Sequence, residues 1–375
     1  MQANTLLHLS LIENTGPATI EKLVQALSFD QLDKLYFLSA KELQELTGLS
    51  YATAQRIVLG LQDKKILEQE LLLLERNNIA CITLFDKEYP PLLKNIHLPP
   101  VVLYIQGRPL DYTKCVAFVG SRQADRYGMA VIQKLVPELV AAGYTIVSGG
   151  ALGIDTLAHQ AALACNGSTV AVLGSGLLKP YPTANTRLFN TIAEQNGSVI
   201  SSFSLQCSAL AGNFPARNRI IAGLSSACIV IQAAEKSGAL ITARYALEQG
   251  REVGAVPGAI DNPLSAGCHK IISDGAALIT SAQDILHLVS DAMPIRAVVR
   301  QESSMLLSQP IKKQIQQTIP QTPQEHVLLY AQIPVSFDEL LLKTALSSAE
   351  LQDLLFNLQL DGLIEQNFMG LWCKS

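Results

Sequence analysis

"CVAFVGSRQADRYG", residues 115–128, runs from an unbroken apolar segment into a glycine, a small polar residue and an arginine, and then into a helical pattern. Consecutive apolar positions over this length read as a strand buried on both faces, as in a parallel sheet. A strand that ends on glycine and feeds a helix brings backbone amides and the positive end of a helix dipole to one spot, where an anion can sit. A dinucleotide-binding turn would continue G-x-G-x-x-G, and this one does not. No acidic residue ends the second strand of the unit either, so an NAD-linked dehydrogenase is excluded.

The same grammar recurs along the chain. "IACITL", "VVLYIQ", "YTIVSG", "TVAVLG", "SVISS", "ACIVIQ" and "EVGAVP" are short runs of the same kind, and helical patterns fall at 126–142, 154–165, 184–195 and 239–249. Strand–helix alternation predicts an α/β fold: an extended, Rossmann-like, doubly wound and mostly parallel sheet over residues 76–290. The Pro-rich "YPPLLKNIHLPP" (89–100) joins two early strands and is excluded from a helix interior.

Ligands of such sheets sit beyond the carboxyl ends of the strands, so the residues that follow each strand are the candidates. Gly120, Ser121 and Arg122 follow the first quoted strand. Gly149, Gly150 and Gly153 follow "YTIVS", and Lys236, Ser237 and Gly238 follow "ACIVIQAAE". Gly174-Ser175-Gly176 makes a fourth small-residue turn. Arg217, Asn218 and Arg219 stand together in "FPARNRIIAGLS", and Arg244 lies beyond the Ser237-Gly238 turn. Arginine forks match phosphate oxygens, and asparagine serves a base or a sugar; a surface ion pair is the competing use of the two arginines. Phe214 and Tyr181 are candidates for base stacking and equally for core. Asp155 and His159, four apart on one helix face, read as a helix-end carboxylate and a histidine bonded to a neighbouring loop. No third group completes a catalytic set around them, so no catalytic residue is assigned.

Charge is distributed unevenly. The net charge is −4, yet residues 113–290 carry 12 Lys and Arg against 10 Asp and Glu, while 1–112 carry 10 against 13 and 324–375 carry 2 against 7. A polyanion is therefore expected to meet the middle of the chain. The 7 cysteines include no C-x-x-C pair, which predicts buried thiols in a reducing cytoplasm and neither a disulfide framework nor a metal site; no cofactor is implied. No apolar run is long enough for a membrane span, and no signal peptide is read at the start.

Residues 1–75 read as short helices in which "LIENTGPATIEKLV" and "ELTGLSYATAQRIV" both place Thr-Gly between helical patterns, at Gly16 and Gly48. This resembles a helix–hairpin–helix unit with phosphate-facing amides; a turn that merely packs two helices fits the acidic balance better. Residues 291–323, Gln-rich with Pro320 and Pro323, read as a linker. Residues 324–375 read as three helices and a hairpin, a winged-helix domain. Its third helix (347–364) has no Lys or Arg, so it is expected to contact protein and not to read DNA.

"FVGSRQADRYG", "IVSGGALGIDTLAHQAAL", "AVLGSGL" with "YPTAN", "FPARNRIIAGLS", "EKSGALITARYALEQGREVGAVPG" and "DGAALI" occur in this order. Together they resemble the DNA-processing protein A family (DprA, also called Smf) over residues 80–290. The flanking segments resemble its accessory domains, a SAM-like helix–hairpin–helix domain and a winged helix. The resemblance implies a non-enzymatic, cytoplasmic protein that binds and protects incoming single-stranded DNA and loads RecA recombinase onto it during natural transformation. It implies a homodimer through the Rossmann-like domain, near "HKIISDGAALI" (269–279). It puts the binding arginine at Arg122 and the rest of the pocket at Gly149, Gly150, Gly153, Asn218, Arg219 and Lys236 through Gly238. Thr183 stands where many relatives carry a basic residue, with Lys179 and Arg187 as flanking substitutes, and Gly267-Cys268-His269 replaces a common G-T-N. The alternative is an enzyme of the lysine-decarboxylase-like nucleotide phosphoribohydrolase type, whose P-G-G-x-G-T-x-x-E motif is missing although Glu235 ends a suitable strand.

Overall fold

The computed structural model describes residues 2–108, 112–291 and, in part, 323–374. Its contacts divide it into two units, 1–296 and 297–375.

The first unit begins with five helices: α1 (Gln2–Leu11), α2 (Pro17–Leu27), α3 (Ala40–Thr47), α4 (Tyr51–Gln62) and α5 (Lys64–Arg76), with a 3-10 segment at Phe29–Phe37. Local chemistry starts several of them. Ser39 and Glu42 form a reciprocal capping box at α3, Ser50 accepts the Thr53 amide at α4, and Asp63 accepts that of Lys65 at α5. The two Thr-Gly segments are not equivalent turns. Gly48 closes α3 with φ 65°, whereas Gly16 is extended and precedes α2, whose first residue is Pro17.

The α/β part follows as β1 (Ala80–Thr83), α6 (Pro91–Lys94), β2 (Val102–Gly107), β3 (Cys115–Val119), α7 (Arg126–Ala141), β4 (Thr145–Ser148), α8 (Ile154–Ala164), β5 (Thr169–Val172), α9 (Thr186–Glu194), β6 (Gly197–Ser201), α10 (Asn213–Leu224), β7 (Ala227–Val230), α11 (Gly238–Glu248), β8 (Glu252–Ala255), α12 (Ala266–Ser273), β9 (Ala277–Leu278) and α13 (Ala282–Asp291). The described strands form one sheet in the order β1-β2-β6-β5-β4-β3-β7-β8-β9. All neighbours from β6 to β9 are parallel; β1 and β2 add an antiparallel edge. The 89–100 segment does hold one helical turn, α6, because Pro91 takes its first position, where no amide partner is needed.

Both faces of the sheet are covered, which is why its strands are apolar at consecutive positions. In β3, Cys115, Ala117 and Val119 pack on the α10–α11 side, and Val116 and Phe118 pack on the α7–α8 side. At the β5–β6–β2 end the second face is covered by α9 and the N-terminal helices. Leu6, Leu9, Leu23 and Ile57 share one core with Tyr104, Ala171, Leu173 and Val199. No helix among the described residues is long and apolar enough to cross a membrane.

In the second unit, α14 (Pro323–Tyr330) and the antiparallel pair β10 (Ile364–Gln366) and β11 (Trp372–Lys374) are described. Val327, Val335, Leu340, Leu351, Leu355, Leu358 and Ile364 form its small core. The linker reading falls almost wholly on residues outside those described.

Because Leu9 is fully buried in the core shared by helices and sheet, Leu9→Ala is expected to cost about 2–5 kcal/mol. Hydrogen exchange is expected to quicken in α1–α5 and in β2, β5 and β6 together. Acceleration confined to the helices would contradict a shared core.

Candidate nucleic-acid interface

The chain leaves β3 toward one edge of the sheet, through β4, β5 and β6, and leaves β7 toward the other, through β8 and β9. β3 and β7 are neighbours, so their exits diverge and open a crevice at the carboxyl ends of the strands. A cavity of about 320 Å3 lies there. Gly120, Ser121 and Arg122 line it from β3, Lys236, Ser237 and Gly238 from β7, and Phe214, Arg217 and Asn218 from α10.

Arg122 and Lys236 are exposed, one on each diverging turn. Their solvent-facing charges and the start of α11, capped by Ser237, give the crevice a positive rim over a partly apolar wall. Arg122 lies over the Phe214 ring at 5.9 Å, and Arg217 lies over the same ring at 5.9 Å. Tyr181, 45 % exposed, stands beside it with ring centroids 5.7 Å apart. Phe214 is therefore a cavity wall and not a core residue.

Arg217 has a different place from Arg122. It is buried, and its Nη1 donates to the carbonyls of Gly149 and Val172, at the ends of β4 and β5. Asp155, also buried, accepts the amides of Gly149 and Ala151 on Oδ2. Burial pushes the Asp155 carboxyl up, against the pull of Arg217 and the amides, and lowers the Arg217 guanidinium to about 10, which keeps it charged at neutral pH. Arg217 is the cavity floor; its hydrogen bonds go to the protein. Glycine is required at two points of this floor. A Cβ on Gly149 would run into the Arg217 guanidinium, and one on Gly153, where φ is 80°, would strike the Ser121 carbonyl. Gly149, Gly150 and Gly153 thus build the turn beneath the cavity without lining it.

The other candidates lie elsewhere. Arg219 donates to the His97 carbonyl at 2.6 Å, away from the cavity, and Arg244 pairs with Glu248 at 2.8 Å on the exposed side of α11. Lys179 and Arg187 are exposed and do not line the cavity. Glu235 is exposed and off the lining as well; among the described lining residues Asp155 is the one carboxylate, and it is engaged. His159 bonds to a strand residue and not to a loop. Thr169 Oγ1 donates to the Ile146 carbonyl, so it accepts from His159 Nδ1 at 2.7 Å, leaving Nε2 buried with its lone pair.

Gln232 is a contributor that the sequence reading missed. Its carbonyl accepts the Ser121 amide at 2.7 Å and its Oε1 accepts that of Asp125 at 3.3 Å, so it holds both ends of the Gly120–Asp125 turn. Its position just past β7 is the available signal: a polar residue in an apolar run beside a strand end.

Burial first, and the Arg217 charge second, lower His159 from 6.5 to about 3. The folded chain therefore binds fewer protons at this site than the unfolded chain between those values, and stability falls as pH drops through that window. His159→Leu is expected to remove up to about 1.4 kcal/mol per pH unit of that slope. Urea unfolding of both proteins between pH 4 and 7 checks this; parallel curves would contradict it.

Comparison with known proteins matches three segments of the chain. Residues 80–290 match the family described as DNA recombination-mediator protein A, residues 7–63 a SAM-like helix-hairpin-helix tandem, and residues 317–367 the DprA winged helix domain. Protein Smf of Escherichia coli is 44% identical over 241 residues, 64% of this chain and 64% of its own length. The DNA processing protein DprA of Streptococcus pneumoniae is 46% identical over 218 residues, 56% of this chain and 75% of its own. The X-ray structure of DprA from Streptococcus pneumoniae superposes with a TM-score of 0.60 at 36% identity, covering 72% of this chain and 97% of that one. A Helicobacter pylori DNA processing protein A, described for its single-stranded DNA binding mode, gives a TM-score of 0.51 at 31% identity over 56% of this chain and 94% of its own. The Streptococcus pneumoniae and Helicobacter pylori relatives are named as DNA processing proteins. On the extent of the match and the order of its parts, the chain belongs to the DNA recombination-mediator protein A family.

Proposed function

We propose that the chain binds single-stranded DNA along the crevice between the β3 and β7 exits, shields it, and delivers it to the RecA recombinase during natural transformation. In this reading it acts in the cytoplasm as a homodimer through the α/β part. The observation that carries the DNA reading is the pair of exposed cations, Arg122 and Lys236, set one on each diverging turn around an aromatic wall. A single strand asks for that combination: charges that follow the sugar-phosphate chain, and a π-face for its unpaired bases. The Helicobacter pylori relative, with its single-stranded DNA binding mode, supports the same substrate. RecA delivery and dimerisation rest on family membership. The acidic C-terminal unit, whose stretch 347–364 carries no Lys or Arg, is assigned to protein contacts.

Arg122 is the main phosphate contact, Lys236 the second, and Asn218 the polar group facing a base or sugar. Arg217, Gly149, Gly150 and Gly153 support the floor. Arg219, Arg244, Lys179 and Arg187 act, if the strand continues past the cavity, only along its outer track.

Arg122→Ala is expected to weaken binding of a labelled single-stranded oligonucleotide at least tenfold, with unchanged urea stability because the side chain is exposed. The log–log salt dependence is expected to lose a slope of about 0.7, the share of one phosphate on a single strand. Fluorescence anisotropy against duplex of equal length checks both. Equal affinity for duplex, or an unchanged slope, would overturn the assignment.

A further inference from the structure

No residue of α1–α5 lines the cavity, yet one side chain of α5 is tied to the chain that builds its wall. Glu70 is 6 % exposed, a rare state for a glutamate. Its Oε1 accepts the Leu205 amide at 2.8 Å. Leu205 belongs to the connection between β6 and α10, whose amides have no ladder of their own. The same connection is laid on the turn after β5. Leu178 donates to the Leu205 carbonyl at 3.0 Å, and Gly176 to that of Cys207 at 2.8 Å. It then enters α10, where Phe214 rests on Gly174 and forms the cavity wall.

Glu70 costs desolvation energy where it is. Its neighbours are Tyr104 and Cys81; burial and then the Glu70 charge push the Cys81 thiol up to about 12 and raise the Tyr104 phenol further. A well-packed apolar side chain would fill this site at lower cost. The carboxylate holds the Leu205 amide and also faces the Tyr104 hydroxyl.

We infer that Glu70 is a positioning residue: through Leu205 it sets the β6–α10 connection and the Phe214 wall, so the helical segment tunes single-strand binding without touching DNA. The inference rests on the DNA reading above.

The test compares Glu70→Gln, which keeps an acceptor oxygen, with Glu70→Leu, which removes it at similar volume, both in the full chain. Leu210→Trp, at an exposed position of the same connection, reports its conformation in a Trp372→Phe background. Glu70→Leu is expected to shift the reporter's emission and weaken single-strand binding by about threefold to thirtyfold, the range for substitutions along a coupling network. Glu70→Gln is expected to leave both as in the parent. Should Glu70→Leu fail to fold, Glu70→Asp withdraws the oxygen by one methylene while keeping the charge, with the same expected direction. Identical behaviour of the acceptor-keeping and acceptor-lacking variants would overturn the inference. A shift in emission on Glu70→Leu when the parent itself binds no single strand would sink the DNA reading and leave the positioning role intact; a parent that binds single strand and a Glu70→Leu variant with unshifted emission would do the reverse.

Discussion

The buried guanidinium of Arg217 is the charge around which the strand ends are organised. It reaches from α10 to the carbonyls that finish β4 and β5, while Asp155 takes the amides of the turn between β4 and α8. An uncompensated charge at this depth would cost several kcal/mol, so the two residues depend on each other and the turn depends on both. The tight packing of Gly149 against the guanidinium follows from the same arrangement. With the floor fixed from inside, Arg122 and Lys236 remain at the surface with their charges available.

One helix distributes the Arg217-Asn218-Arg219 cluster. Successive residues of an α-helix point about 100° apart, and the three side chains go three ways. Arg217 goes inward to the strand ends, Asn218 faces the cavity, and Arg219 binds the His97 carbonyl on the connection between β1 and β2. The cluster that reads as one basic patch in the sequence contributes to the floor, the wall and an outside brace. The positive rim is consequently small, and its placement at the divergence of β3 and β7 matters more than the number of cations.

Much of this architecture is legible in the sequence because buried parallel strands leave continuous apolar runs and their exits need glycine. The β3 run, the Gly149–Gly153 turn and Arg122 are all visible that way. Direction is not: "IACITL" and "VVLYIQ" look like their parallel neighbours, and only pairing shows that β1 and β2 run antiparallel at the edge. Burial of charge is also hidden. Arg217 reads as a surface residue because its partners, Gly149, Val172 and Asp155, lie 45 or more residues away in sequence. Glu70 and Gln232 escape notice for the same reason, since their bonds to Leu205 and Asp125 span 135 and 107 residues. The two Thr-Gly segments show the opposite error: similar words, one an extended cap and the other a left-handed helix stop.

One crevice, built by the exits of β3 and β7, is the proposed seat of the single strand. Amide hydrogen exchange of the full chain with and without saturating oligothymidylate tests it most directly. Binding at the crevice is expected to slow exchange in residues 120–124 and 235–240 together, with little change in α2 to α4. Protection centred on the Gly16 and Gly48 turns, with the strand exits unaffected, would contradict it.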